Sequence, residues 1–107
     1  ACNDFKTFIS IHYTQGMYLS VSETCQGFTG YSPQEMVGTS AYDHFHPEDF
    51  QAILKSHAKI TIKPEVDMVD YRLRMKDGSY KAVRSLSKKI IGENGAEFLL
   101  AFTVERE

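Results

Sequence analysis

Residues 7–13 alternate with a period of two. Ile9 and Ile11 fall on one face and Ser10 and His12 on the other, which predicts a β-strand. Gln15-Gly16 is a turn signal, and Met17, Leu19 and Val21 then alternate with Tyr18 and Ser20, so a second strand and a hairpin follow. The period then changes. Ser22 is placed to cap a short helix reaching Phe28 and ended by Gly30. Ser32-Pro33-Gln34-Glu35 has the form of a capping box, with Pro at the first helical position, and Gly38 limits that helix. Thr39 or Ser40 can start a further short turn carrying Tyr42 and Phe45.

His46-Pro47-Glu48-Asp49 opens one longer helix, with Pro suited to its first position and the two acids complementing its dipole. Phe50, Ile53, Leu54, His57 and Ala58 recur on one face, whereas Gln51, Lys55 and Lys59 point toward water. Lys63-Pro64 ends it. From residue 66 to 75 the period returns to two, with Val69, Tyr71, Leu73 and Met75 inward and Asp70, Arg72 and Arg74 outward. Lys76-Asp77-Gly78-Ser79 and Glu93-Asn94-Gly95 are turn signals bounding a strand over 80–91 and a last one over 97–104. The order, two strands, four helical pieces and three strands, predicts an α+β fold with one antiparallel sheet covered by helices on a single face.

Composition narrows the function. The 107 residues suit a single domain over 1–107, and the start at Ala1 suggests a domain cut from a longer protein. No apolar run approaches the ~20 residues needed to span a bilayer, and there is no signal-peptide pattern. A net charge of −2, with only Lys88-Lys89 adjacent among the basic residues, argues against direct nucleic-acid contact. Cys2 and Cys25 make neither a disulfide framework nor a CxxC motif, which fits a reducing, intracellular compartment. Cys25 is expected to pack as a small buried hydrophobe. No phosphate loop, nucleophile elbow or HExxH occurs, so no enzyme is expected.

Gly30-Tyr31-Ser32-Pro33 with Glu35, the His46-Pro47-Glu48-Asp49 helix start, and Tyr71-Arg72 followed by Arg74 and Lys76-Asp77-Gly78-Ser79 together resemble a PAS domain over about residues 7–105. Thr7-Phe8-Ile9-Ser10-Ile11-His12, Gly38-Thr39-Ser40-Ala41-Tyr42-Asp43 and Lys55-Ser56-His57 are most similar to the second PAS repeat, PAS-B, of basic helix-loop-helix PAS transcription factors. The segments Lys76-Asp77-Gly78-Ser79-Tyr80 and Val83-Arg84-Ser85 resemble the nuclear-translocator and circadian partners of that group. The resemblance implies the PAS fold, a five-stranded antiparallel sheet in the order 2-1-5-4-3. It also implies an outer sheet face that binds a partner PAS domain or a coactivator, as a homo- or heterodimer, in a nuclear and cytoplasmic protein. In some members a small molecule sits between sheet and long helix. DNA contact belongs to a separate basic region. The chain departs from the pattern at Ala82, where many PAS domains carry Trp. It ends in Phe102-Thr103-Val104-Glu105 rather than the Asp-Ile-Thr of kinase-coupled members. Glu23-Thr24-Cys25-Gln26-Gly27 does not match the flavin-binding motif, which argues against flavin.

Two sites are therefore expected. On the sheet's outer face, strand alternation offers Tyr18, Arg72, Arg74, Tyr80, Ala82 and Arg84 as partner contacts, since aromatic and Arg side chains anchor interfaces; an ordinary solvated face is the plainer alternative. Ile11, His12, Ile53, His57 and Val69 are candidates to line an internal ligand cavity. His57 is read first as a core histidine hydrogen-bonded to the sheet or a neighbouring helix, next as cavity lining, and last as a haem ligand. His44, His46 and Asp49 are metal-ligand types, but they lack a well-spaced further ligand, and His46 is better used as a cap. No bound cofactor is expected.

Overall fold

A computed structural model describes residues 6–106, so Cys2 lies outside the described residues. The strands are β1 (Thr7–Tyr13), β2 (Tyr18–Val21), β3 (Asp67–Arg74), β4 (Tyr80–Ile91) and β5 (Glu97–Glu105). They form one antiparallel sheet ordered β2-β1-β5-β4-β3, the expected PAS arrangement. The helices are α1 (Cys25–Thr29), α2 (Pro33–Met36) and α3 (Phe50–Ile62), with 3₁₀ turns at Ala41–His44 and Pro47–Asp49.

Local chemistry explains where these helices begin. Ser32 Oγ accepts from Glu35 N at 3.2 Å while Glu35 Oε1 accepts from Ser32 N at 2.9 Å, completing the capping box of α2. His46 Nδ1 accepts from Glu48 N at 3.1 Å and so caps the turn that leads into α3. Ser22 does not cap α1. Its hydroxyl accepts instead from Ile9 N at 2.9 Å, tying the end of β2 to β1, and α1 starts only at Cys25. Gly30 ends α1 with φ +88°, and a Cβ there would stand 3.0 Å from that of Lys76, so the left-handed turn and the close approach both require glycine.

The helical segment crosses the inner face from one sheet edge to the other. At the β2 edge, Tyr18 N donates to Thr39 O at 2.9 Å, beside an isolated bridge between Met17 and Ser40. At the β3 edge, Phe45 bridges Leu73 and His46 N donates to Arg72 O at 3.0 Å. Both edges are thereby partly covered by the chain itself.

Asp49 completes the β3 closure. Its carboxylate accepts from Arg72 N at 2.8 Å, Arg72 Nε at 3.0 Å and Arg72 Nη2 at 2.9 Å. The Arg72 guanidinium hydrogen-bonded to it holds this carboxyl below its ordinary range. Asp49→Ala should therefore lower stability by about 1.5–3 kcal/mol at neutral pH, the range for hydrogen bonds to a charged group. Because the folded-state pKa is depressed, the stabilisation is present above the usual carboxylate range and is lost as pH falls through the folded value. Urea unfolding of both proteins at pH 7 and in acid checks this; a difference that persists undiminished in acid would rule out the ionic part of the clamp.

The main core joins α1 and α2 to the sheet through Phe8, Phe28, Cys25, Met36, Leu73 and Val83. Cys25 is buried with a free thiol, and burial pushes that thiol up to about 11, so it packs rather than reacts at neutral pH. On α3 the buried residues are Ile53, Ser56 and Ile60. Leu54, expected inward, is 49% exposed, because α3 touches the sheet through a narrower stripe facing β3 and β4.

Candidate functional site

Beneath α3 the sheet does not fill the space beside the helix. Beside the larger His12 and Leu99, the inward positions of β1, β4 and β5 there are small: Ser10, Ser85, Ser87, Ala101 and Thr103. They leave a cavity of about 80 Å³, roofed by Ile53, Ser56, His57 and Ile60 of α3 and flanked by Tyr42 and Phe45. His12, Ile53, His57 and Val69 are among the residues that line it. Ile11 is not. Neighbouring strand residues point to opposite faces, and with His12 inward Ile11 stands on the outer face opposite Leu100.

The cavity floor is a chain of hydroxyls. Tyr71 Oη lies 2.7 Å from Ser85 Oγ, which lies 2.8 Å from Thr103 Oγ1. Ser10 Oγ lies 2.8 Å from His12 Nε2, and His12 Nδ1 lies 3.1 Å from Gly16 O. The carbonyl can only accept, so Nδ1 carries the proton and Ser10 donates to Nε2. Burial lowers His12 to about 4, opposed by the Gly16 hydrogen bond and assisted by His57, so the ring is neutral at pH 7.

His57 is held at the rim by both nitrogens. Nε2 donates to Thr14 O at 2.5 Å, and Nδ1 accepts from Tyr42 Oη at 2.6 Å. The ring thus joins α3 to the β1–β2 turn and to the 3₁₀ turn carrying Tyr42, while still lining the cavity. Gly16 has φ +103°, and a Cβ there would come within 3.1 Å of the Tyr42 ring, so this rim is closely packed.

Tyr18 is a correction. It was expected on the outer face but is 3% exposed, lines the cavity, and packs its ring 4.5 Å from that of His12. The cause is a β-bulge. Ile11 pairs with Ser20 but His12 pairs with Tyr18, so Leu19 is an extra residue that reverses the alternation of β2. The Tyr18 hydroxyl makes no hydrogen bond among the described residues. Burial also raises the Tyr18 and Tyr71 phenols, so both stay protonated.

The other outer-face candidates lie on β3 and β4. Tyr80 and Ala82 are exposed, and Arg74 is half-buried. Arg72 turns around the sheet edge to Asp49 and Glu48, and Arg84 Nε donates to Asp70 at 2.7 Å, so neither guanidinium is unengaged. The outer face is instead dominated by residues outside that set. Ile9, Phe102, Leu86 and Met68 form a continuous row across β1, β5, β4 and β3 and are 46%, 39%, 38% and 54% exposed. Ile11 and Leu100 extend it, as do Tyr13, Phe98 and Ile90, with the Tyr13 and Phe98 rings 6.2 Å apart. The sequence signal was the size contrast over residues 100–104 of β5, where Leu100, Phe102 and Val104 alternate with the smaller Ala101 and Thr103.

The residues with metal-ligand side chains are engaged separately. His44 packs edge-on against Tyr18 and Tyr31, His46 caps the turn before α3, and Asp49 binds Arg72. Among the described residues no group of three or more His, Cys, Asp or Glu side chains is arranged to hold a metal ion. Nor is any described helix long and apolar enough to cross a membrane.

Known proteins agree with this architecture. A family model described as PAS fold matches residues 18–103. Over 79 residues, 73% of this chain, the sequence is 40% identical to Protein cycle of Drosophila melanogaster and 33% identical to human basic helix-loop-helix ARNT-like protein 2. The matched stretch is 19% and 12% of those relatives, so the chain spans less than a fifth of their length. Two solved structures of Drosophila melanogaster Cycle PAS-B superpose with a TM-score of 0.86. One is a tryptophan-to-alanine variant with bound glycerol, at 32% identity, and the other is wild type with bound ethylene glycol, at 31%. Each covers 92% of this chain and is itself 99% covered. A PAS domain from Colwellia psychrerythraea shares the fold, with a TM-score of 0.82 at 20% identity, 96% of this chain and 87% of that one being covered. With its strand order, its helical cover and these matches, the chain belongs to the PAS family and is homologous to the PAS-B domains of Cycle and the ARNT-like basic helix-loop-helix PAS proteins.

Proposed function

We propose that this domain is an interaction module of a nuclear transcription regulator, binding a partner PAS domain or a coactivator through the outer face of its sheet. The observation that carries this reading is the exposed apolar row Ile9–Phe102–Leu86–Met68 and its extensions. A contiguous apolar surface of this kind is unusual on a monomer and marks an interaction site. The aromatic residues Tyr13, Phe98 and Phe102 give it anchors of the kind that dominate interface energetics.

Titrating the ¹⁵N-labelled domain with PAS domains and coactivator segments of basic helix-loop-helix PAS systems tests the reading. Amide shifts are expected to cluster on β1, β4 and β5, and Phe102→Arg should weaken binding by about tenfold or more with its melting curve retained. Saturable binding that maps to α3, or that Phe102→Arg leaves unchanged, would overturn it.

A second reading coexists with the first: the cavity takes a small, neutral, hydrogen-bonding molecule. The unbonded Tyr18 hydroxyl beside the Ser85–Thr103 floor favours it, and the Cycle PAS-B structures hold glycerol and ethylene glycol. About 80 Å³ suits a few heavy atoms, well under the roughly 300 Å³ or more of sites for drug-sized ligands, and so argues against haem or flavin.

A further inference from the structure

Among the described residues, Lys88 is the one charged residue within the apolar band of the outer face. It pairs across the sheet with Leu100, and Leu86 and Ile90 flank it on the same side of β4. The next residue, Lys89, turns inward and donates to Thr61 O at 3.2 Å, which fixes Lys88 as outward. Lys88 is exposed and makes no ion pair or hydrogen bond among the described residues. The other charged groups nearby are satisfied. Asp70 is the single carboxylate that the described strands place on this face, and it already bridges Arg84 at 2.7 Å and Arg106 at 3.6 Å.

Covering this band takes water from the Lys88 ammonium. An unpaired ammonium is costly to desolvate, so an occupant without a counter-charge is penalised. Among the described residues, a second copy packing this same face offers none: its apolar band carries only another Lys88, and the Asp70 carboxylate is engaged. From this we infer that Lys88 selects the occupant: a different protein whose docking surface is apolar with one aspartate or glutamate placed opposite Lys88, and not a second copy. The proposal rests on the reading that the outer face is the docking surface. It adds that a single lysine discriminates a heterologous partner from self by repulsion as well as attraction.

Because this selection is encoded in the chain, variants of the chain itself serve as probes. Sedimentation equilibrium should find weak self-association for the wild type. Lys88→Leu, and also Lys88→Gln, which removes charge without adding apolar surface, should self-associate about tenfold more tightly or better. An equimolar mixture of wild type and Lys88→Glu should form a 1:1 pair tighter than either protein alone and weakened by salt. The side chain is exposed, so unchanged melting curves are expected for all three variants. The inference is overturned if neither Leu nor Gln raises self-association, or if the mixed pair is no tighter than the wild type alone. If instead Phe102→Arg leaves partner binding intact, it is the docking face itself that is wrong, so the two failures are distinguishable.

Discussion

Lowering the pH from 6.5 to 4 is expected to remove roughly 3 kcal/mol of stability through His12 alone. The folded-state value is depressed to about 4 by burial, whereas the unfolded chain titrates near the ordinary histidine value of 6.5. Between these values the unfolded state binds the additional proton, so acid favours unfolding. The contribution is therefore fully present above the unfolded value and lost as pH falls toward the folded one. His44 acts in the same direction, being lowered by burial and by Arg74, so the whole protein should show at least the His12 slope. His12→Gln should be less stable at pH 7 for want of the Ser10 and Gly16 pairing, but its stability should fall less steeply between pH 6.5 and 4. Urea unfolding at several pH values decides; parallel losses in both proteins would remove His12 as the source.

Phe28→Ala is expected to cost about 3–5 kcal/mol, a large part of the 5–15 kcal/mol typical of a whole domain. Phe28 is among the largest fully buried side chains and meets Phe8 edge-on with ring centroids 5.0 Å apart. Lys81 Nζ sits 4.5 Å from its ring centroid and donates to Phe28 O at 2.9 Å, so truncation also strips the support from a partly buried ammonium. Phe102→Ala, on the accessible outer row, should change stability by only about 0.5 kcal/mol. Urea midpoints for the two variants measure the contrast. A loss under about 1 kcal/mol at Phe28 would mean that the helices covering the core collapse onto the space it leaves.

The strands, their order in the chain, the capping box and the His46 cap were legible in the sequence because each rests on neighbours within a few residues. What was not legible depended on longer-range relations. Alternation alone cannot locate a bulge, and a single extra residue, Leu19, turned Tyr18 from the outer face into the cavity. Ile9 and Ile11 have the apolar character expected of inward residues, yet Ser10 and His12 are buried, since the inner floor is deliberately small and polar and the outer face carries the bulk. Phe8 and Leu99 still follow the usual rule of bulk inside, but beneath α3 the small residues of β1 and β5 point inward and Ile9, Ile11, Leu100 and Phe102 point outward, so apolar character alone misassigns the faces there. Arg72 looked like an interface anchor because its partner, Asp49, lies 23 residues away and only the fold brings them together.

The small inner floor also has a mechanical side. Expressed per mole, a cavity of about 80 Å³ amounts to about 50 mL/mol, within the typical range for the entire volume change of unfolding. Water fills such space when the chain opens, so compression drives the domain toward its unfolded or locally opened state. Hydrostatic pressure is therefore expected to destabilise this fold in part through the gap beneath α3. Whatever molecule fills that gap would stiffen the domain against compression even if it changed no contact on the outer face.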